Sequence, residues 1–414
     1  MRADVIVVGL GSMGASAAYQ LASRGLRVIG LDRFSPPHDR GAHAGGSRII
    51  RMAYMEGAEY VPLVRRSYDL WRQLEAAVGE TLLTQTGGLM LGRPESAAVA
   101  GSAAAARANG LPHELLDAAE VRRRFPVFTP PDDEVALYEE GAGLLRPERA
   151  IAAHLRLAAT AGAVLRTGVT ALSWTAGVGG VTVSTDDGEL AADRLVLAPG
   201  AWAPGLVRLR VPLRVQRRVQ HYWRPADSDA FAINACPIWI WEFGSGEAAY
   251  GLPSVDGEVK AALHHGDEAV DPNAGAAPAR PEETVAMRDW LATHVPGLAA
   301  GQWIGSKPCL YTLTPDEHFV LGPHPEHASV AVACGFSGHG FKFTPVVGEI
   351  LADLATTGAT PHPIAIFDPA RFERAAPAGS AHLGSSPPGS GLTGSARVAS
   401  GLPWSGSVRF EATP

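Results

Sequence analysis

The sequence predicts an α/β fold in which one domain, discontinuous along the chain, is interrupted by a second, β-rich domain. Three observations carry this prediction. A glycine turn lies between an apolar strand and a helix at the start, alternating and aromatic runs fill 212–264, and short strand and helix patterns return after 316.

The first unit is the most explicit. Val5-Ile-Val-Val8 reads as a buried strand, and Gly9-Leu-Gly11-Ser-Met-Gly14 as a tight turn. A helix continues to about Arg24, Gly25 closes it, and a second strand over 27–31 ends at Asp32. Each part has a task in a Rossmann-type dinucleotide site. Gly9 permits the turn, Gly11 lets a pyrophosphate approach the backbone, and Gly14 permits close helix packing. The helix N-terminus offers N–H groups and the positive end of its dipole, while Asp32 accepts from ribose hydroxyls.

Further along, Val61, Val64, Tyr68, Trp71 and Leu74 share helical spacing and predict a helix over 60–77. The stretch 86–145 mixes short strands with an Ala-rich helix near 96–109, and Pro147 opens a helix over 147–161. Asp187-Gly188 turns a hairpin between strands at 181–185 and 190–197. A helix is expected at 281–295, a buried strand at 330–333 and a helix at 345–356; 36–38 and 41–47 read as loop. The dinucleotide domain is thus expected from 1–85, 146–211 and 316–374, and the substrate domain from 86–145 and 212–315. The Gly, Ser and Pro-rich stretch 375–414 has little to pack and is expected to be a flexible tail.

Composition narrows the function. A chain of 414 residues is too long for one core and suits two joined domains. A net charge of −7 speaks against nucleic acid or an anionic membrane as partner. No apolar run approaches the roughly 18–20 residues that span a bilayer, and no secretory pattern precedes Val5, so the cytoplasm is expected. Three cysteines without a Cys-x-x-Cys pair indicate neither a disulfide framework nor a zinc site. Of these, Cys334 in an apolar run reads as core. Among 35 basic residues only Lys260, Lys307 and Lys342 are lysines, which marks places where a compact ammonium is wanted.

The glycine turn alone leaves NAD and FAD open. Two later segments favour FAD: the strand end Leu195-Val-Leu-Ala-Pro-Gly200-Ala-Trp202, and Gly335-Phe-Ser-Gly338-His-Gly340-Phe-Lys342, whose small residues admit an isoalloxazine ring.

At these residues the chain resembles the monomeric sarcosine oxidase and N-methyltryptophan oxidase family of FAD-dependent amine oxidases. The likeness covers residues 3–373. It is most specific at Lys307-Pro-Cys309-Leu-Tyr311-Thr-Leu-Thr314-Pro-Asp316-Glu317-His318-Phe319 and at 335–342, and it includes Ser47-Arg48-Ile-Ile-Arg51. The resemblance implies FAD bonded covalently through Cys309, and a substrate carboxylate held by Arg51 and Lys342. It further implies oxygen activation at Lys260, Arg48 beside the flavin ring, and Tyr250, His264, Tyr311 and His339 at active-site or flavin-contacting positions. Gly9, Gly11, Gly14, Asp32, Ser47, Gly200, Gly338 and Gly340 complete the expected cofactor set.

The chain departs from the family pattern at His43-Ala-Gly-Gly-Ser47, where a second histidine and an acid are usual. The aromatic run Pro237-Ile238-Trp239-Ile240-Trp241-Glu242-Phe243 carries no assignable motif and reads as sheet core in preference to substrate pocket. The activity implied is oxidation of an N-methyl amino acid by O2 to the primary amino acid, formaldehyde and hydrogen peroxide, by a monomer. Alternatives are oxidation of a cyclic imino acid such as proline or pipecolate, or a dehydrogenase of the same fold with another electron acceptor.

Overall fold

The first strand, Ala3–Val8, sits at the centre of a sheet because residues on both its faces are apolar and buried. It pairs in parallel with Val28–Asp32 on one side and Gly188–Leu197 on the other. Val164–Thr167 extends the sheet beyond Val28–Asp32, and His327–Cys334 pairs in parallel with the end of Gly188–Leu197. In this computed structural model the described residues are 2–374; the expected tail at 375–414 lies outside them.

Helix Ser12–Ser23 leaves the glycine turn and packs between helices Pro147–Thr160 and Thr344–Thr357. Close packing at its start demands glycine. A Cβ on Gly14 would overlap the Gly9 carbonyl oxygen, which is backbone and cannot give way. Gly25, in the left-handed region, follows the helix as its spacing predicted.

A second sheet of eight strands joins the two expected β regions. Its order is Gln302–Leu313, Arg214–Arg224, Glu258–Leu263, Glu247–Val255, Ile238–Phe243, Gly88–Gly92, Val135–Glu139 and Glu114–Asp117. All neighbours are antiparallel except Ile238–Phe243 against Gly88–Gly92. Gln302–Leu313 was not evident in the sequence. Gly305 and Pro308 interrupt its alternation, yet it pairs along the whole of Arg214–Arg224. A small sheet of Arg48–Ile50, Gly143–Leu145 and Leu83–Gln85 stands apart from both large sheets.

The unassigned aromatic run divides by the two-residue period of its strand. Trp239 and Trp241 are buried against helix Pro281–His294, where Trp239 stacks on Trp290 at 5.6 Å and Trp241 meets the same ring edge-on at 5.7 Å. Such pairs are worth about 0.5–1.5 kcal/mol beyond their burial. Trp241 Nε1 donates to Glu134 at 2.7 Å, so its polar atom is satisfied. The intervening Ile240 lines a cavity. The core expectation holds for the tryptophans and not for Ile240. The Ala-rich helix also differs: a wider turn, Ala97–Gly101, precedes regular helix Ser102–Ala108, and Ser96 accepts from Val99 N at 3.3 Å.

Gly14→Ala is expected to force the helix away from the first strand, costing about 1–3 kcal/mol. Thermal unfolding checks this, and an unchanged midpoint would show that the turn has room for a methyl group.

Candidate active site

The ends of the parallel strands open into a cleft of about 380 Å³ lined by Gly9, Gly11, Asp32, Gly200, Thr312 and Gly338 among others. Its position outside the carboxyl ends of the strands is where such sheets bind nucleotides. Gly11 caps helix Ser12–Ser23 with no side-chain hydrogen bond, so the first N–H groups are left for a phosphate. Asp32 is locked at its strand end, its carboxylate accepting from Leu10 N at 2.7 Å and Phe34 N at 2.8 Å. It lines the cleft, with His38 Nε2 at 3.6 Å from Oδ1. Glycine turn, uncapped helix and oriented acid together fit the adenosine diphosphate half of FAD.

The cleft continues into a second cavity of about 80 Å³. Arg48, Tyr311, Gly338 and Phe341 line both. Gly338 has positive φ, and a Cβ there would overlap the Tyr311 ring, so only glycine lets these two segments meet at the junction. The second cavity is walled by Ile240, Tyr250, His264 and Met55, with Arg51, Lys342 and His339 at one end.

Arg51 follows the short strand Arg48–Ile50 and is 1% exposed. Its Nη2 donates to both oxygens of Glu56 at 2.7 and 2.8 Å, and Nη1 to Ala53 O at 2.8 Å. Its Nε is buried without a partner. Burial works against the charge, but Glu56 and Tyr54 outweigh it and hold the guanidinium pKa above its ordinary value. Glu56 is pushed by burial towards the neutral form, and Arg51, His339 and Lys342 pull it down to about 2. Glu139 accepts from Met52 N and Ala53 N at 2.8 Å each and fixes the backbone beside Arg51.

Lys342 donates to His339 O at 2.8 Å and lies 3.4 Å from Tyr54 Oη, and it and the Arg51 guanidinium lie 5.1 and 4.5 Å from the Tyr54 ring centroid. Burial, then Arg51, lowers its pKa to about 7, with Glu56 opposing. His339 Nε2 faces Glu317 O at 3.1 Å and so carries the proton, leaving Nδ1 to accept from Tyr54 Oη at 2.6 Å. Burial lowers the pKa of His339 to about 4 and that of His264 to about 3. Tyr311 Oη lies 3.4 Å from His264 Nδ1. The neighbouring His265 accepts from Ala248 N at 3.0 Å, a role in the sheet.

Arg48 donates to the carbonyls of Ser47, Ala42 and Ala44 at 2.7–2.8 Å, a cation bonded to neutral acceptors at the junction. Cys309 is 2% exposed; its Sγ lies 3.8 Å from Arg48 Nη2 and 3.5 Å from Ala42 O. Ala42, Arg48 and Tyr311 around it line the cleft, although Cys309 itself does not. Lys260 lies further back, donating to the carbonyls of Ser47 and Gly45, and lines neither cavity. Burial and Arg48 hold its pKa well below the lysine value. Ser47 takes part through its carbonyl, accepting from Arg48 and Lys260. Gly340 lines the cleft beside Phe341.

Sequence reasoning missed Tyr54, Met55, Glu56, Glu139 and Ile240. The first three stand in irregular backbone within five residues of Arg51, and their closeness to it was the only available signal.

A family model described as FAD dependent oxidoreductase matches residues 4–354. The monomeric sarcosine oxidase of Streptomyces avermitilis is 48% identical over 91% of this chain and 99% of its own length. The N-methyl-L-tryptophan oxidase of Salmonella arizonae is 35% identical over 90% of this chain and 100% of its own. Among solved structures, NikD, an unusual amino acid oxidase essential for nikkomycin biosynthesis, superposes with a TM-score of 0.79 at 27% identity, covering 89% of this chain and 97% of that one. Alike in sequence across nearly its whole described length, the chain belongs to the FAD dependent oxidoreductases, with the monomeric sarcosine oxidases and N-methyl-L-tryptophan oxidases among its relatives.

Proposed function

We propose that the protein oxidises a small N-methyl amino acid of the sarcosine type, using O2 and water to give the primary amino acid, formaldehyde and hydrogen peroxide. One observation carries the reading. Arg51, whose Nε is buried without a partner, and Lys342 both line an 80 Å³ cavity that opens onto the nucleotide cleft. A planar donor and a compact ammonium converging there suit one carboxylate. Greater identity to a sarcosine oxidase, 48%, than to an N-methyl-L-tryptophan oxidase, 35%, favours a small amino acid over an indole-bearing one.

Bound FAD supplies the two-electron oxidation and hands the electrons to oxygen. Arg51 and Lys342 anchor the carboxylate and so direct the amine end of the substrate towards the junction. Ile240, Tyr250 and Met55 exclude water around the N-methyl group. His264 and Tyr250 present neutral polar groups there, since burial holds the histidine unprotonated and raises the tyrosine pKa to about 12. Arg48 keeps an uncancelled positive charge where negative charge develops. Lys260 serves oxygen, as the family likeness implies. The two large sheets are the nucleotide and substrate domains of this reading, and the enzyme works as a cytoplasmic monomer without nucleic acid or membrane.

Aerobic incubation with a panel of secondary amino acids tests the activity. Sarcosine is expected to yield equal amounts of formaldehyde and hydrogen peroxide. Peroxide without formaldehyde, from proline or pipecolate alone, would replace the reading with ring-carbon oxidation. Turnover only with an artificial electron acceptor would make the protein a dehydrogenase.

The covalent link through Cys309 Sγ is supported by the position of that sulfur against Arg48 and Ala42. Acid precipitation is expected to leave the protein yellow and to release flavin from Cys309→Ala. Flavin freed from the unaltered protein would exclude the bond.

A further inference from the structure

We propose that Glu148 is a positioning residue for the oxygen step, fixing the Gly45–Ser47 turn whose carbonyl oxygens hold the Lys260 ammonium. This rests on the reading that Lys260 serves oxygen, and adds a residue from the opposite side of that turn.

Glu148 stands in the first turn of helix Pro147–Thr160, and its Oε1 accepts from Gly45 N at 2.7 Å and from Gly46 N at 3.0 Å. Two successive glycines with positive φ, +116° and +78°, turn both N–H groups towards the one carboxylate oxygen. The carbonyls of these two peptides, Ala44 O and Gly45 O, face the cations, and the next acceptor, Ser47 O, is tied to the turn by Ser47 N donating to Gly45 O at 2.9 Å. Lys260 Nζ donates to Ser47 O and, at 3.3 Å, to Gly45 O; Tyr222 Oη donates to Gly45 O at 3.0 Å; Arg48 donates to Ser47 O and Ala44 O. A Cβ on Gly45 would meet Gln220 Oε1 and Tyr222 Oη, so the turn packs against strand Arg214–Arg224 at this residue.

The turn therefore has a carboxylate on its amide side and an ammonium on its carbonyl side. Lys260 is buried and its hydrogen bonds go to carbonyls alone among the described residues. Its position depends on carbonyls that Glu148 holds in place, and Glu148 also supplies negative charge close enough to favour the protonated lysine. Arg48, Lys307, Cys309 and Tyr222, whose hydroxyl shares Gly45 O, also face Lys260. Burial disfavours the Glu148 carboxylate, but the N–H groups of Gly46 and Gly45 hold its pKa below the usual range, so it is charged at neutral pH. The substrate-binding end of the small cavity uses none of these bonds.

Rapid-mixing measurements on the holoenzymes separate the two halves of the reaction. Glu148→Gln is expected to lose less in anaerobic reduction by sarcosine, since Arg48 keeps its bond to Ala42 O, than in reoxidation with O2, which slows about tenfold or more. The pH above which reoxidation slows is expected to move down. Lys260→Met is expected to slow reoxidation at least as much, and adding Glu148→Gln to it to cost nothing further. Parental reoxidation by Glu148→Gln, or an equal loss in both halves, would overturn the proposal while slow Lys260→Met left the reading of Lys260 standing. Parental reoxidation by Lys260→Met would remove that reading and the proposal with it. Should Glu148→Gln not accumulate as folded holoenzyme, Glu148→Asp keeps the charge and is expected to slow reoxidation selectively; unaltered reoxidation would overturn the proposal.

Discussion

A guanidinium buried at the seam between two sheets has to be answered on every side, and the arrangement around Arg51 follows from that demand. Isolated in a low-dielectric interior, the charge would cost far more than the fold can supply. Glu56 answers Nη2, Ala53 O answers Nη1, and the Tyr54 ring lies 4.5 Å from the guanidinium carbon. Glu139, itself buried, holds the Met52–Ala53 backbone that makes these contacts possible. Only Nε is left, and the cavity lies beside it. The protein satisfies this charge almost completely, and in the proposed reading the remaining donor is kept for a substrate carboxylate.

The same economy recurs towards the cleft. Arg48 and Lys260 are met mainly by backbone carbonyls of residues 42–47, whose amides at 45 and 46 are met in turn by Glu148. Carbonyl dipoles hold a cation in place without cancelling its charge, whereas a direct carboxylate partner would neutralise it. The small sheet containing Arg48–Ile50 and Gly143–Leu145 brings this segment and the start of helix Pro147–Thr160 together. Two of the chain's three lysines, Lys260 here and Lys342 beside Arg51, are buried.

The nucleotide cleft was legible because its signals are local. Gly9, Gly11, Gly14 and Asp32 lie within one strand–turn–helix–strand unit, and backbone sterics make Gly9 and Gly14 obligatory. Arg51, Lys342 and Cys309 were legible only through the family likeness, since nothing in their own spacing brings residues so distant together. Glu56, Glu139 and Glu148 were not legible at all. Each acts through irregular backbone or across elements distant in sequence, where no period exists to read. Strand Gln302–Leu313 escaped for a related reason: Gly305 and Pro308 break its pattern, and only its partner strand reveals it. Trp239 and Ile240 show the limit of composition, since neighbours in one apolar run serve core and cavity by facing opposite ways.

The central claim is that Arg51 and Lys342 jointly bind one carboxylate, and the pH dependence of ligand binding tests it most directly. Burial and Arg51 bring the Lys342 pKa down to about 7, so its ammonium is lost as pH rises through that value. Affinity of the holoenzyme for a small carboxylate such as acetate, followed by flavin absorbance, is predicted to fall by up to about tenfold per pH unit above 7. The same titration of Lys342→Met is predicted to be weaker and flat across that range. Affinity independent of pH in the parent protein, or equal binding of acetamide, would contradict the account.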